Sequence, residues 1–140
     1  MLLDISEIPR VALERMNRVH EEEIKILNQL YEAIEEFQEG TGSLEEIDRK
    51  FEEFFQDVLK HFSSEQEMME QYNFFAYPMH RGEHDMVLGQ LHSLKKKWEK
   101  EKNPELIKSY IEKEFLPWLM NHIQTMDTVT AHFLSHFIKD

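Results

Sequence analysis

The sequence predicts an all-α protein, an antiparallel up-down-up-down four-helix bundle. Three observations predict it. Helix breakers are scarce, with four glycines and four prolines in 140 residues, against abundant Glu, Leu, Met, Lys and Gln. Four long stretches place apolar residues at alternating spacings of three and four, which is one face of a helix. The connections between them are short, and short connections make neighbouring helices antiparallel.

The first helix is expected over about residues 9–38. Pro9 suits a first helical turn. Leu13, Met16, His20, Ile24, Leu27, Leu30, Ile34 and Phe37 form its inward face, and Gly40-Thr41-Gly42 ends it. The second is expected over 44–73. Ser43 and Glu46 make a capping-box pattern. Its face runs Leu44, Ile47, Phe51, Phe54, Val58, His61, Glu65, Met68, Tyr72. The third is expected over 78–100, opening at Pro78, with His80, His84, Val87, Leu91, Leu94 and Trp98 inward. The lysines from Lys95 to Lys102 suit the negative end of its dipole. The fourth is expected over 104–138. Asn103-Pro104-Glu105 is its start signal. Ile111, Phe115, Trp118, His122, Met126 and Val129 lead to a stripe of Phe133, Leu134, Phe137 and Ile138. Pro117 falls inside it and predicts a kink. The chain, 1–140, is read as one domain.

Composition removes several functions. No cysteine is present, which excludes thiolate metal sites, iron–sulfur clusters, disulfides and cysteine nucleophiles. The net charge is −12, which argues against nucleic acid and anionic membrane as partners. The start, MLLDISEIPR, has no basic, apolar leader pattern, and no stretch approaches a spanning length. A soluble, cytoplasmic protein is the expectation.

The inward faces carry the chemistry. His61 and Glu65 are four apart, as are His80 and His84, and residues four apart on a helix stand one above the other. His20 and His122 lie mid-face on the first and fourth helices. In an antiparallel bundle, mid-helix positions meet at one height. A single inward histidine is most simply a hydrogen-bonded core residue. Five on four faces, with a carboxylate among them, favour a metal site in the bundle core, because so many buried polar groups need partners. The ferritin-like Glu-x-x-His pattern and the His-Glu-x-x-His zinc pattern are both absent.

His61-Phe62-x-x-Glu65, His80-x-x-x-His84 and Trp118-Leu119-x-x-His122-Ile123-x-x-x-Asp127, with His20 upstream, resemble the hemerythrin family of non-haem di-iron oxygen-binding proteins. The resemblance spans nearly the whole chain and fills all seven ligand positions of the family motif. It implies two iron ions with a bridging oxo or hydroxo group. It also implies His80, His84 and His122 on one iron, His20 and His61 on the other, and Glu65 and Asp127 bridging both. Asp127 is known only through the resemblance. Five residues from His122 is a poor spacing on an ideal helix, and a π-type bulge would accommodate it. Two six-coordinate irons offer about twelve positions, and this set fills all but one, leaving room for a small ligand, O2 in the family.

Phe62, Trp118 and Ile123 are expected to wall the ligand pocket. Thr125, three after His122, is expected on the same face as a polar member of that pocket. Glu23, three after His20, is expected to be a solvated flank, with competition for the open position as the alternative. His92 is read as a surface residue. His132 and His136, four apart near the C-terminus, are read as solvated or capping rather than as a second metal pair. The expected function is reversible O2 binding for storage, transport or buffering, without enzymatic turnover. The alternatives are a di-iron enzyme acting on peroxide, nitric oxide or O2, or an oxygen- or iron-sensing module that works through a partner protein.

Overall fold

A computed structural model describes all 140 residues. The chain is helical throughout, with no strand. After a short 3-10 turn at Ile5–Glu7, α1 covers Glu14–Gln38, α2 Leu44–Gln71 and α3 Tyr77–Glu101. A fourth rod, α4 (residues 104–134), is built of three α-helical segments, Pro104–Tyr110, Leu116–His122 and Thr128–Leu134. They are joined by π-helical turns at Ile111–Phe115 and Ile123–Asp127. Each rod packs on the next and α1 closes against α4, giving the expected four-helix bundle. No helix is long and apolar enough to cross a membrane.

The helix ends follow the local chemistry. Gly40 takes φ +87° after α1, and a Cβ on Gly42 would stand 2.8 Å from the Phe37 nitrogen, so the α1–α2 turn requires both glycines. The Ser43 hydroxyl accepts from the Glu46 N–H at 3.1 Å and starts α2. Lys102 ends α3 in the left-handed region, and the Asn103 side chain accepts from the Glu105 N–H to start α4.

Two expectations about the rods are corrected. Pro9 does not open α1. The Val11 N–H donates to Asn17 Oδ1 at 2.9 Å, and Asn17 Nδ2 donates back to the Val11 carbonyl at 3.0 Å. This clamp holds the strand-like lead-in, and Leu13 is buried beside Met16, Ala131 and Leu134. The helix therefore starts at Glu14. α4 stops at Leu134 rather than 138, and Ile138 folds back onto the same small cluster. At Pro117 the structure shows a π turn immediately upstream, in which the Leu116 N–H reaches the Ile111 carbonyl. The wider turn makes room for a ring that an ideal α-helix would press against the carbonyl four residues back.

The apolar core is concentrated toward one end of the bundle. There Ile24, Leu27, Leu30, Phe51, Phe54, Val58, Leu91, Trp98 and Phe115 interlock. The smaller cluster around Leu13 and Leu134 closes the other end. Between them lies a buried polar layer.

Candidate metal centre

That layer gathers His20, His61, Glu65, His80, His84, His122 and Asp127, each no more than 2% exposed. All four rods contribute, so the sequence-predicted residues do converge. Their donor atoms form two groups. His20, His61, Glu65 and Asp127 make one, and Glu65, His80, His84 and His122 the other, with the donor atoms of each within 4.8 Å of one another.

The two carboxylates stand between the groups. Glu65 turns Oε2 toward His61 Nε2 at 2.7 Å and His20 Nε2 at 3.7 Å. Its Oε1 faces His80 and His84 Nε2 at 3.2 and 3.3 Å. Asp127 turns Oδ2 toward His20 Nε2 at 3.0 Å and Oδ1 toward His80 and His122 Nε2 at 3.2 and 3.3 Å. Each carboxylate therefore offers one oxygen to each group. Asp127 reaches this position because the π turn at Ile123–Asp127 brings residues five apart nearly onto one face.

Every inward nitrogen is Nε2, and four of the outward Nδ1 atoms are held from behind. His61 Nδ1 donates to Glu23 Oε1 at 3.0 Å and His122 Nδ1 to Glu83 Oε1 at 2.7 Å. His84 Nδ1 donates to Gln66 Oε1 at 3.1 Å, and His80 Nδ1 pairs with Thr130 Oγ1 at 2.7 Å. Such partners fix ring orientation and tautomer.

Glu23 is thus corrected. It is fully buried rather than a solvated flank, and it faces the back of His61 rather than the centre. Its place on the α1 core face with Leu27, Leu30 and Ile34 was the signal that could have found it. Thr125 is corrected too. It is exposed, and its hydroxyl donates to the Asn121 carbonyl at 2.8 Å. The π turn rotates the residue three after His122 away from the core. Phe62 stacks on the His84 ring at 3.9 Å, Trp118 stacks on His122 at 4.4 Å, and Ile123 is fully buried. The aromatic pair covers the His84/His122 side of the layer, not the His20/His61 side. His92 is a surface residue, edge-on to Phe55. His132 and His136 are exposed, and His136 Nδ1 donates to the His132 carbonyl at 3.0 Å, as a helix-end cap does.

The electrostatics describe a layer that needs cations. Burial disfavours charge on His20 and His80, but the facing Asp127 and Glu65 carboxylates override it and raise both to about 9. Burial is likewise overridden at His61, where Glu23 and Glu65 raise it well above its ordinary value. His84, where burial dominates, is lowered. Burial pushes Glu65 and Asp127 up, but the facing histidines prevail and hold both below the usual carboxylate range.

A metal fits these residues better than protons do. Both His20 nitrogens, Glu65 Oε1, His84 Nε2 and both Asp127 oxygens are buried without a hydrogen-bond partner, although several lie near each other. The donor atoms of each group lie within 4.8 Å of one another, close enough to share a cation. His80 and His122 Nε2 stand 3.1 Å apart while both Nδ1 atoms are engaged outward. In neutral rings whose protons lie on Nδ1 those are two opposed lone pairs, which a cation between them reconciles.

Comparisons with known proteins agree. The family model described as the Hemerythrin HHE cation binding domain matches residues 11–133. A bacteriohemerythrin of Aquifex aeolicus (strain VF5) is 39% identical over 134 residues, covering 96% of this chain and 98% of that relative. A bacteriohemerythrin of Methylococcus capsulatus is 29% identical over 99 residues, covering 69% of this chain and 72% of that relative. Among solved structures, a wild-type hemerythrin crystal structure superposes with a TM-score of 0.77 at 23% identity, covering 96% of this chain and 98% of the other. A tyrosine mutant of a hemerythrin gives the same TM-score. With a cation-binding family model along most of its length and a relative matched end to end, the chain belongs to the hemerythrin family.

Proposed function

We propose that this chain, as a single domain, holds two iron ions bridged by Glu65, Asp127 and an oxo or hydroxo group, and binds O2 reversibly for storage, transport or buffering. The family is one of cation-binding proteins, and non-haem iron with dioxygen is what the family resemblance implies. The observation that carries the finer reading is an imbalance in the donor count. His80, His84 and His122 with one oxygen from each carboxylate make a set of five. His20 and His61 with the other two oxygens make a set of four. The smaller set leaves one coordination position to an outside ligand.

When bound, ferrous iron supplies the electrons that hold dioxygen reversibly. The chain's own residues do the rest. Glu65 and Asp127 supply two negative charges that balance part of the metal charge in a dry interior. Glu23 and Glu83 accept from His61 and His122 and make those rings better donors. Phe62, Trp118, Leu119 and Ile123 keep water away from one side of the layer. The groups behind the histidines, Glu23, Thr130, Gln66 and Glu83, are each engaged with a ring nitrogen, and the exposed Thr125 hydroxyl is committed to its own helix. These features favour a binding protein over an enzyme.

The test is metal content and an absorption spectrum of the purified protein, followed by titration of the reduced form with oxygen. The expected result is about two irons per chain and a visible band that appears with oxygen and disappears when oxygen is removed. Steady oxidation without such a reversible band would overturn the carrier reading.

A further inference from the structure

α3 carries two seams. His80, His84, Val87, Leu91, Leu94 and Trp98 are its buried one. A second run at the same three-and-four spacing, Met79, Gly82, Met86, Gly89 and Ser93, lies on the outside, and every member of it is exposed. Met79 and Met86 are 64% and 50% exposed, and Phe75, in the turn just ahead of α3, is 75% exposed. The chain's own packing does not account for the two glycines. Glycine weakens a helix interior, and a Cβ on Gly82 or Gly89 would meet nothing within 4 Å.

Protrusion and hollow sit at opposite ends of this outer seam. Phe75 and Met79 stand out at its start. Toward its other end an open hollow of about 580 Å³ lies between α3 and α4, bordered by Gly89, Gln90 and Ser93 on one side and Tyr110 and Glu114 on the other. The two features are about 20 Å apart along the helix, and Gly82 and Met86 lie midway between them.

We propose that this face of α3 is the contact surface for a second copy of the chain, in an antiparallel twofold pairing centred between Gly82 and Met86. In that register Met79 of each copy meets Gly89 of the other, Gly82 meets Met86, and Phe75 reaches Ser93. Every large side chain faces a small one, and the glycines let the two helix axes approach closely. A protrusion and a hollow on one molecule can also join copies head to tail without end. A twofold axis at their midpoint makes both contacts at once and closes the pair.

Charge favours the same pairing. The net charge is −12, yet the seam from Met79 to Ser93 holds no ionised residue, and Asp85 beside its midpoint is paired with Arg81 at 3.7 Å. Past Ser93 come Lys96, Lys97 and Lys100, all exposed. Lys95 and Lys102 pair with Glu52 and Asp48, whereas these three have no acidic partner in their own chain. The antiparallel register carries them toward the other copy's α2–α3 turn, where Glu67 and Glu70 are exposed and the carbonyl end of α2 is negative. A parallel pairing would set the lysines of the two copies against one another. The area covered is on the order of 1,000 Å² over both copies, the low end for a specific interface, so the pair is expected to dissociate on dilution.

The chain has no cysteine, so introduced cysteines report the register without interference. Metal-loaded Met79→Cys and Gly89→Cys proteins are mixed and oxidised. The expected product is a disulfide between position 79 of one copy and position 89 of the other. Met79→Cys alone is expected to give little dimer, because two copies of residue 79 stand about 15 Å apart in this register, beyond the reach of a disulfide.

Sedimentation equilibrium over a concentration series supplies a second readout, free of cross-linking. Wild type is expected to show a monomer–dimer equilibrium. Met79→Asp and Gly89→Arg are each expected to weaken it by about tenfold or more. Their mixture is expected to associate more tightly than either alone, because the new acid then faces the new base while the other contact stays native. Both positions are exposed, and helix content with metal content checks that each variant folds. A wild type that stays monomeric at millimolar concentration would overturn the proposal, and so would a dimer that neither substitution weakens. Cross-linking of Met79→Cys to itself in preference to Gly89→Cys would overturn the antiparallel register.

Discussion

Each inward histidine has two ring nitrogens, and the chain assigns both. Nε2 faces the layer; Nδ1 is held from behind by Glu23, Thr130, Gln66 or Glu83 on four of the five. Two of the four partners are carboxylates, one behind each donor set. Glu23 is the more consequential, because it serves the set with fewer donors and is wholly buried. Glu23→Ala leaves the His61 N–H unpaired in a closed interior, and metal affinity is expected to fall by about 10- to 100-fold. Glu23→Gln keeps the hydrogen bond without the charge. It is expected to restore most of the affinity while raising the iron reduction potential. Chelator competition and a potentiometric titration check the two parts; equal losses in both variants would mean that the charge, not the hydrogen bond, orients His61. The inward residues themselves were legible because a histidine or carboxylate at a core position breaks an otherwise apolar face. Their outer partners were not. Gln66 and Glu83 sit beside the face rather than on it, and Glu23 was hidden in the run Glu21 to Glu23, whose other two members lie toward solvent.

At the scale of the element, α4 departs most from an ideal helix, and it departs twice. The π turn at Ile123–Asp127 lets His122 and Asp127, five apart, face the same layer. A π turn of this kind behaves as one extra residue in an α-helix. Deleting the exposed Gln124 is therefore expected to restore plain α-helix, with His122 and Asp127 now four apart on one face. Asp127, Ala131 and Leu134 would keep their directions, and stability and metal content would change little. Inserting an alanine at the same place adds a second extra residue and turns everything beyond it by about 100°. That variant is expected to lose metal and several kcal/mol of stability, because Asp127 leaves the layer and the Leu13–Leu134 cluster loses its partners. Thermal melting with metal analysis of both variants decides the point; equal damage from deletion and insertion would show that the π turn is more than an inserted residue. The helix faces and their caps were readable from spacing and from Ser43 and Asn103. The true start of α1 was not, because a side chain six residues away, Asn17, competes for the Val11 backbone that Pro9 seemed to release into a helix. The site depends on a departure from regular spacing, so periodicity could locate His122 while only the family pattern pointed to Asp127.

At the scale of the whole molecule, the polar layer cuts the apolar interior in two, and its charge state sets how the fold responds to pH. Without metal, protons hold the layer together. His20 and His80 carry folded-state pKa values of about 9, above the ordinary histidine value near 6.5. A raised folded value means that the stabilisation is fully present below about pH 6.5 and is lost as pH rises through about 9. Glu65 and Asp127 are depressed, so their contribution is present above about pH 4 and is lost only as pH falls through their low folded values. The metal-free protein is therefore expected to be most stable between about pH 4.5 and 6.5 and to lose on the order of a few kcal/mol by pH 9. Metal reverses the alkaline limb. Cations take the places of the Nε2 protons, so loading releases protons, apparent affinity climbs with pH toward about 9, and the loaded fold keeps its stability there. Urea unfolding at pH 6 and pH 9, with and without metal, checks the pair of trends, and proton release in weakly buffered solution checks their cause. A metal-free protein as stable at pH 9 as at pH 6 would mean that the apolar clusters on either side carry the fold without help from the layer. The layer would then be a passenger in folding, and its seven side chains would be kept for the ligand alone.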